Sequence, residues 1–362
     1  MSAARSPRKE WSPIAHAVYR ADRSYAWNYS HAPSLPRVRR LPPGPGAQLF
    51  GHALDSPLGI AAGPLLNSRW IEGYARLGYD VLTYATVRTT EHDALALPNI
   101  RHVENRDQVA VAARRPHLNG TTTIAVSLGL PSMGPDVWRR DVRRARDRIG
   151  RGQVLVVSVV GTHREGAGPD ALVADYATCA AWAAQAGADI VEIHLAVPNP
   201  FGEAGQMIYE HIPLAAQILY RVRTTVGVPV VAKFGVFKSP RALHETATKL
   251  APWVDGFVLV HGIPRRVLDE EGKAAFEGRE WATVVGAGTY PACSRQVEEL
   301  IAWRKAGEWP HAILAVGGIS TVERARHLLG AGANAALVAT AAMFDPSFAV
   351  RFRQSAAATA VA

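Results

Sequence analysis

Cysteine is scarce in this chain: Cys179 and Cys293 are the two among 362 residues. So few thiols cannot staple a disulfide scaffold, and they fit a reducing compartment. Long apolar runs are missing too. No stretch approaches the ~20 apolar residues of a membrane-spanning helix, so no integral membrane segment is expected. Met1 to Glu10 is polar and basic rather than a secretory signal, and the expected location is cytoplasmic. His and Cys nowhere cluster at zinc spacing, so no metal is expected. No G-x-G-x-x-G follows the first strand, and neither a G-x-S-x-G elbow nor a Walker loop is present. Acidic residues are outnumbered, 31 against 40 basic ones, for a net charge of +9. The excess is local. It lies in Pro36 to Arg40 and in Trp138 to Arg151, where Arg139, Arg140, Arg143, Arg144, Arg146, Arg148 and Arg151 share one helical segment. No aromatic residues interleave after Trp138, so this reads as a solvated outer helix, and nucleic acid is not an expected partner.

What is present is regular. Hydrophobic residues make up 48% and the mean hydropathy is -0.01, values of an ordinary globular protein with a sizeable core. Short apolar runs alternate with helical segments, as a parallel sheet buried on both faces requires. The runs are Leu58–Gly63, Val81–Thr86, Val154–Val160, Ile190–Leu195, Pro229–Phe234, Val254–Val260, the run ending at Val316, and Ala335–Thr340. Between them the pattern predicts helices over Ser68–Leu77 (capped by Asn67), Pro169–Ala186, Met207–Val226, one starting at Ser239-Pro240, and Cys293–Ala306. A further helix follows Ser320, which has capping-box spacing to Glu323. The segment between Val260 and Cys293 reads as irregular. Eight strand–helix units argue for an α/β fold of the (β/α)8 TIM barrel type. Residues 1–50 read as an N-terminal extension packed on the barrel. Residues 51–355 read as the barrel, with an insertion at about 88–152 whose small strands (Val109–Ala113, Thr121–Ser127) pass over its top.

In a barrel, chemistry gathers at the C-terminal ends of the strands. Found there are Ala62-Gly63, Thr86 with Arg88, Ser158 with His163, His194 with Asn199, Lys233, His261, and the Gly317/Thr340 pair. Lys233 ends a buried run, so its charge needs an anion, an electron-rich ring or a structural carboxylate. His194 and His261 end their strands in the same way, and alternation gives His194 the orientation of Glu192. Histidine is the natural proton shuttle near neutral pH; a core histidine satisfied by a carbonyl is the other reading. Gly317-Gly318 allows a sharp turn with open N–H groups, which suits either a phosphate cradle or a plain βα turn.

These residues carry a resemblance to the dihydroorotate dehydrogenase family, spanning about Ser24 to Phe352. Ser24–Asn28, Pro57–Gly63 and Thr86-Val87 resemble its N-terminal and first flavin-contacting segments. Glu192–Asn199 is similar to its signature strand and loop, and Ala315–Ile319 with Ala339-Thr340 to its FMN phosphate segments. Lys233 falls on the flavin-contacting lysine, and Gly286–Thr289 near a flavin-contacting glycine turn. The resemblance implies FMN held by Ala61, Ala62, Gly63, Thr86, Ser158, Lys233, Gly288, Gly317, Gly318, Ala339 and Thr340. It implies Asn199, His194 and His261 at the substrate, with His194, His261 and Lys233 as the catalytic set and Tyr84 or Tyr290 as lesser proton partners.

Departures from the family pattern are specific. The catalytic base, Cys or Ser in the family, is Val197 here, and substrate-reading asparagine positions hold Val126, His194 and His261. Each substrate amide or carbonyl left unpaired would cost ~1–3 kcal/mol. The implied activity is an FMN-dependent oxidoreductase acting on a CH–CH bond beside a carbonyl, in a small substrate other than dihydroorotate, with an unnamed electron acceptor. The alternatives are a true dihydroorotate dehydrogenase with a replacement base, and a non-catalytic flavin- or phosphate-binding barrel. A homodimer is the default assembly.

Overall fold

Eight parallel strands bury side chains on both faces, and that double burial closes them into a ring. The structure is a computed structural model and describes residues 18–35, 38–106, 109–113 and 122–361. Outside the described residues lie the basic N-terminal start, Pro36 and Arg37 of the basic cluster and Thr121 of the second small strand. The strands are β1 (Leu58–Leu65), β2 (Val81–Val87), β3 (Val154–Val159), β4 (Ile190–His194), β5 (Val230–Lys233), β6 (Gly256–Leu259), β7 (Ala312–Val316) and β8 (Ala335–Val338). Each pairs in parallel with its neighbours in sequence, and β8 pairs with β1 to complete the barrel.

Alternate residues point inward. Val81, Val154, Val156, Ile190, Val231, Val258, Leu314 and Leu337 fill the interior, and Leu49 and Leu54 of the hairpin Ala47–Leu49/His52–Leu54 join that cluster from below. The opposite faces of the strands pack on the surrounding helices. The arginine-rich segment forms the helix Pro135–Arg148. It buries Trp138, Asp141, Val142 and Ala145 at helical spacing and turns its arginines outward, Arg146 to Asp189 and Arg148 to Glu72.

The mouth is covered by a second, smaller closed barrel of five strands. Three, Ile100–Arg106, Val109–Ala112 and Thr123–Val126, come from the excursion after β2. The other two, Ile263–Leu268 and Trp281–Gly286, come from the segment after β6, which corrects its reading as irregular. Trp281–Gly286 pairs antiparallel with Thr123–Val126, and Ile263–Leu268 runs parallel to Val109–Ala112, so the two excursions form one sheet. Partners more than a hundred residues apart leave no local signature.

Two helix starts also differ from the sequence reading. Thr321, not Ser320, caps Val322–Ala331, accepting from Arg324 N–H at 3.3 Å. The stretch Met207–Val226 is split. Ile208–Glu210 is a single 3₁₀ turn held by the Glu210 carboxylate on Met207 N–H (2.8 Å), and His211 caps a separate helix, Ile212–Arg223, that opens on Pro213. The described part of the extension packs on the barrel through Val18 N–H to Met343 O (2.7 Å), Trp70 Nε1–H to Asn28 O (3.3 Å) and Asn67 Nδ2–H to Tyr29 O (2.6 Å).

At the barrel floor the C-terminal helix Phe348–Val361 places Arg353 against Asp80, both nearly fully buried. Removing one partner of such a pair strands a charge. Arg353→Met is expected to destabilise the fold by ~3–5 kcal/mol, and adding Asp80→Asn to recover part of it, read as urea midpoints.

Candidate active site

Strand alternation places Glu192 and His194 of β4 and Lys233 of β5 inside the barrel near its C-terminal end, with Lys233 in register with His194. Lys233 Nζ donates to Glu192 Oε1 at 3.3 Å, with side chains 2% and 1% exposed. Lys233 therefore meets a carboxylate of its own barrel. Glu192 Oε2 has no donor among the described residues.

Past β6, His261 reaches the same place. Its ring centroid lies 4.6 Å from that of His194 with the planes at 65°. Tyr176 OH donates to the His194 carbonyl at 3.0 Å, and His261 N–H to the Phe234 carbonyl at 2.8 Å, so both backbones are pinned. His194 Nδ1 is buried with no partner among the described residues. Burial, then His261, Lys233 and Arg88, hold the His194 imidazolium well below its ordinary pKa. Burial and then Lys233 push His261 down to about 3. Two neutral imidazoles result, each offering one donor and one acceptor.

A cavity of about 840 Å³ opens above them, within the ~300–1,000 Å³ of ligand sites. Of the residues singled out from sequence, Ala61, Ala62, Gly63, Thr86, His194, Lys233, His261, Gly317, Gly318, Ala339 and Thr340 line it, as do Val126 and Val197. Ser158, Gly288 and Asn199 stand outside the lining. Ser158 hydroxyl meets Thr86 hydroxyl at 3.2 Å, Gly288 N–H donates to Thr123 Oγ1 at 2.9 Å, and Asn199 braces its loop through Gln206 and Phe201. Neither lesser proton candidate lines the cavity: Tyr84 OH donates to buried Asp141 (2.8 Å), and Tyr290 lies under the Arg324 guanidinium, 4.4 Å from ring centroid to Cζ. Cys293 is buried, and burial pushes its thiol up to about 12, so its place near a helix start does not activate it.

Beside β7, the chain turns through Gly317 and Gly318 at φ +116° and +72°. A Cβ on Gly318 would lie 2.4 Å from Tyr290 N, and one on Gly317 2.7 Å from Cys293. Only glycine fits. Arg324, which the sequence reading passed over, ties the turn down through the Gly318 carbonyl (3.0 Å), Ser320 Oγ (2.8 Å) and the Ala287 carbonyl (3.2 Å). Also passed over were Tyr19 of the extension and Trp281, Ala282, Thr283 and Val285 of the cap, which complete the cavity wall with Tyr25, Gly286 and Ala287 from segments the sequence had marked. They are brought there by folds of the chain that no local pattern announces.

The dihydroorotate dehydrogenase family model matches residues 47–354. The chain belongs to the dihydroorotate dehydrogenase family. A dihydroorotate dehydrogenase of Dictyostelium discoideum is 27% identical over 96% of this chain and 99% of its own. A dihydroorotate dehydrogenase (quinone) of Clavibacter michiganensis is 27% identical over 82% of this chain and 80% of its own. The crystal structure of an Eimeria tenella DHODH in complex with ferulenol superposes with a TM-score of 0.69 at 18% identity, covering 88% and 85% of the two chains, and shares the fold. Family membership makes the chain a dihydroorotate dehydrogenase-like TIM-barrel oxidoreductase. Among the described residues no helix is long and apolar enough to cross a membrane.

Because both imidazoles bind protons less readily folded than unfolded, the unfolded chain takes up more protons below the ordinary value of 6.5. Stability is therefore full above that pH and is lost as pH falls below it. His261→Asn is expected to flatten this acid sensitivity, measured as the difference in urea midpoint between about pH 7.5 and about pH 5.

Proposed function

We propose that the protein is an FMN-dependent oxidoreductase that oxidises or reduces a C–C bond beside a carbonyl in a small substrate other than dihydroorotate. The observation that carries this reading is the pair of neutral histidines at 4.6 Å, His194 buried and His261 half-buried, at a cavity whose family base position is Val197.

The residues fit the cofactor. Gly317 and Gly318, with Ala339 and Thr340 beside them on the neighbouring strand, offer a wall of small side chains and backbone amides suited to its phosphate. Lys233, buried and held by Glu192, supplies positive charge where the ring system would gather electrons. Ala61, Ala62, Gly63 and Thr86 leave the centre of the mouth free of bulk. When bound, FMN supplies the hydride chemistry. The chain supplies orientation and the proton. His261 and His194 hold the substrate carbonyl through their N–H groups. A ring nitrogen of this pair that faces the cavity exchanges the substrate proton, and because burial makes either imidazolium costly, a proton taken there is not retained. Val197 cannot accept a proton, and Val126 cannot pair with a pyrimidine amide, which argues against dihydroorotate.

Purified protein is expected to be yellow, with flavin absorbance that stays unbleached when dihydroorotate is added without oxygen. Bleaching would instead mean that a replacement base restores the family reaction, and no flavin uptake even from added FMN would end the oxidoreductase reading. Gly318→Ala is expected to lower FMN content by at least about tenfold, given the clash at Tyr290 N. His194→Ala and His261→Ala are expected to lower turnover of any active substrate by ~10²-fold or more, the usual scale of lost acid–base help. Intact turnover in both would sink the assignment.

A further inference from the structure

We propose that Arg88 anchors an acidic group of the substrate, which makes the substrate an unsaturated or keto carboxylic acid with an apolar body. This deepens the preceding reading and rests on it for the reaction, though not for the binding site.

Three strong cations line the cavity among the described residues: Lys233, Arg351 and Arg88. Lys233 is paired with Glu192, and Arg351 with Asp345, which is the only carboxylate of the described lining. Arg88 makes no ion pair among the described residues. It is nonetheless firmly positioned. Its backbone N–H donates to Ser132 Oγ at 3.1 Å and its carbonyl accepts from Trp138 Nε1 at 2.9 Å. Its side chain donates from Nε to the Leu130 carbonyl (3.1 Å), and from Nη1 to the Gly161 carbonyl (3.1 Å) and Thr162 Oγ1 (3.3 Å).

All of those acceptors are neutral. A guanidinium carries one hydrogen on Nε and two on each terminal nitrogen. Three of its hydrogens are engaged, and the two on Nη2 meet no acceptor among the described residues. The nearby carboxylate, Asp175, is already taken by the Thr89 hydroxyl (2.5 Å) and Thr162 N–H (2.7 Å). A fixed, partly desolvated guanidinium with both Nη2 hydrogens free suits a carboxylate, whose oxygens would take charge-assisted hydrogen bonds from that nitrogen.

Position separates this anchor from the phosphate cradle. Arg88 follows β2 and is tied to the loop after β3, whereas Gly317, Gly318, Ala339 and Thr340 follow β7 and β8, on the far side of β1. It also lies close enough to His194 to depress that imidazole. Apolar residues of the same lining include Leu128, Leu130, Pro131, Val160, Leu172 and Val197, which favour hydrocarbon over further polar groups. A carbonyl held by the histidines and an acid held by Arg88 would fix such a molecule at two points.

The test is calorimetric titration of the purified protein with matched probes: cinnamate against cinnamamide, benzoate against benzamide, and 3-oxocyclohexene-1-carboxylate against its amide. The acid is expected to bind at least about tenfold tighter than its amide in the pair that fits, the scale of one charge-assisted contact. Arg88→Met should abolish that preference, and Arg88→Lys, which keeps the charge without the fixed planar guanidinium, should retain part of it. Equal binding, or no binding, across all three pairs in the unaltered protein would overturn the proposal without recourse to a variant, as would a preference that survives in Arg88→Met. Flavin absorbance recorded on the same samples reads the cofactor proposal separately, since an Arg88-dependent acid preference in flavin-free protein supports this site while counting against the oxidoreductase.

Discussion

A lysine and a glutamate sealed inside the barrel set the terms for the chemistry above them. Lys233 and Glu192 are removed from water, and either alone would be a costly charge in a low-dielectric interior. Paired at 3.3 Å each gives the other its partner, and burial together with the lysine's field disfavours the protonated forms of His194 and His261. Histidines so placed are hydrogen-bonding groups first and proton carriers second. That is the character a site needs if it is to hold a carbonyl without relying on the amides that the family's asparagines provide.

The same economy governs the cap. The small barrel over the mouth has its own apolar centre, with Val103, Ala110, Ala125, Val267, Phe276 and Val284, and it is closed only when strands from two distant excursions meet. Cavity walls contributed by Thr122 to Pro131 and by Trp281 to Ala287 therefore depend on a single folding event. The extension adds Tyr19 and Tyr25 from a third direction, locked by the Asn28 and Asn67 hydrogen bonds. Scaffold and cover are separate cores, so the cover can vary in shape while the barrel beneath keeps its register.

Chemistry at the site follows from which cations are answered and which are not. Lys233 and Arg351 have carboxylate partners within the protein, while the side-chain hydrogen bonds of Arg88 among the described residues all go to neutral carbonyl and hydroxyl oxygens. Carbonyls orient a guanidinium without discharging it. The lining thus includes two neutral imidazoles, a lysine and an arginine each paired with a carboxylate, and one arginine without an ion pair among the described residues, around a largely apolar space.

The barrel strands, their order and the inward face of His194 and Lys233 were legible in the sequence, because apolar runs of the right length and alternation of side chains are local properties. So were the Asn67 and Ser239 caps, each a side chain bonding to an amide two or three residues on. Ser320 misled because Thr321 beside it has equal capping chemistry, and the choice between them fell to Arg324, which took the serine hydroxyl. Only the tertiary structure decided that Ser158 and Asn199 turn to neighbours rather than to the cavity, that Lys233 meets Glu192, and that the segment after β6 becomes two strands of the cap. Each of those depends on what approaches from a distant part of the chain. Periodicity and spacing record which way a residue points along its own strand, and they carry no information about the partner that arrives from elsewhere.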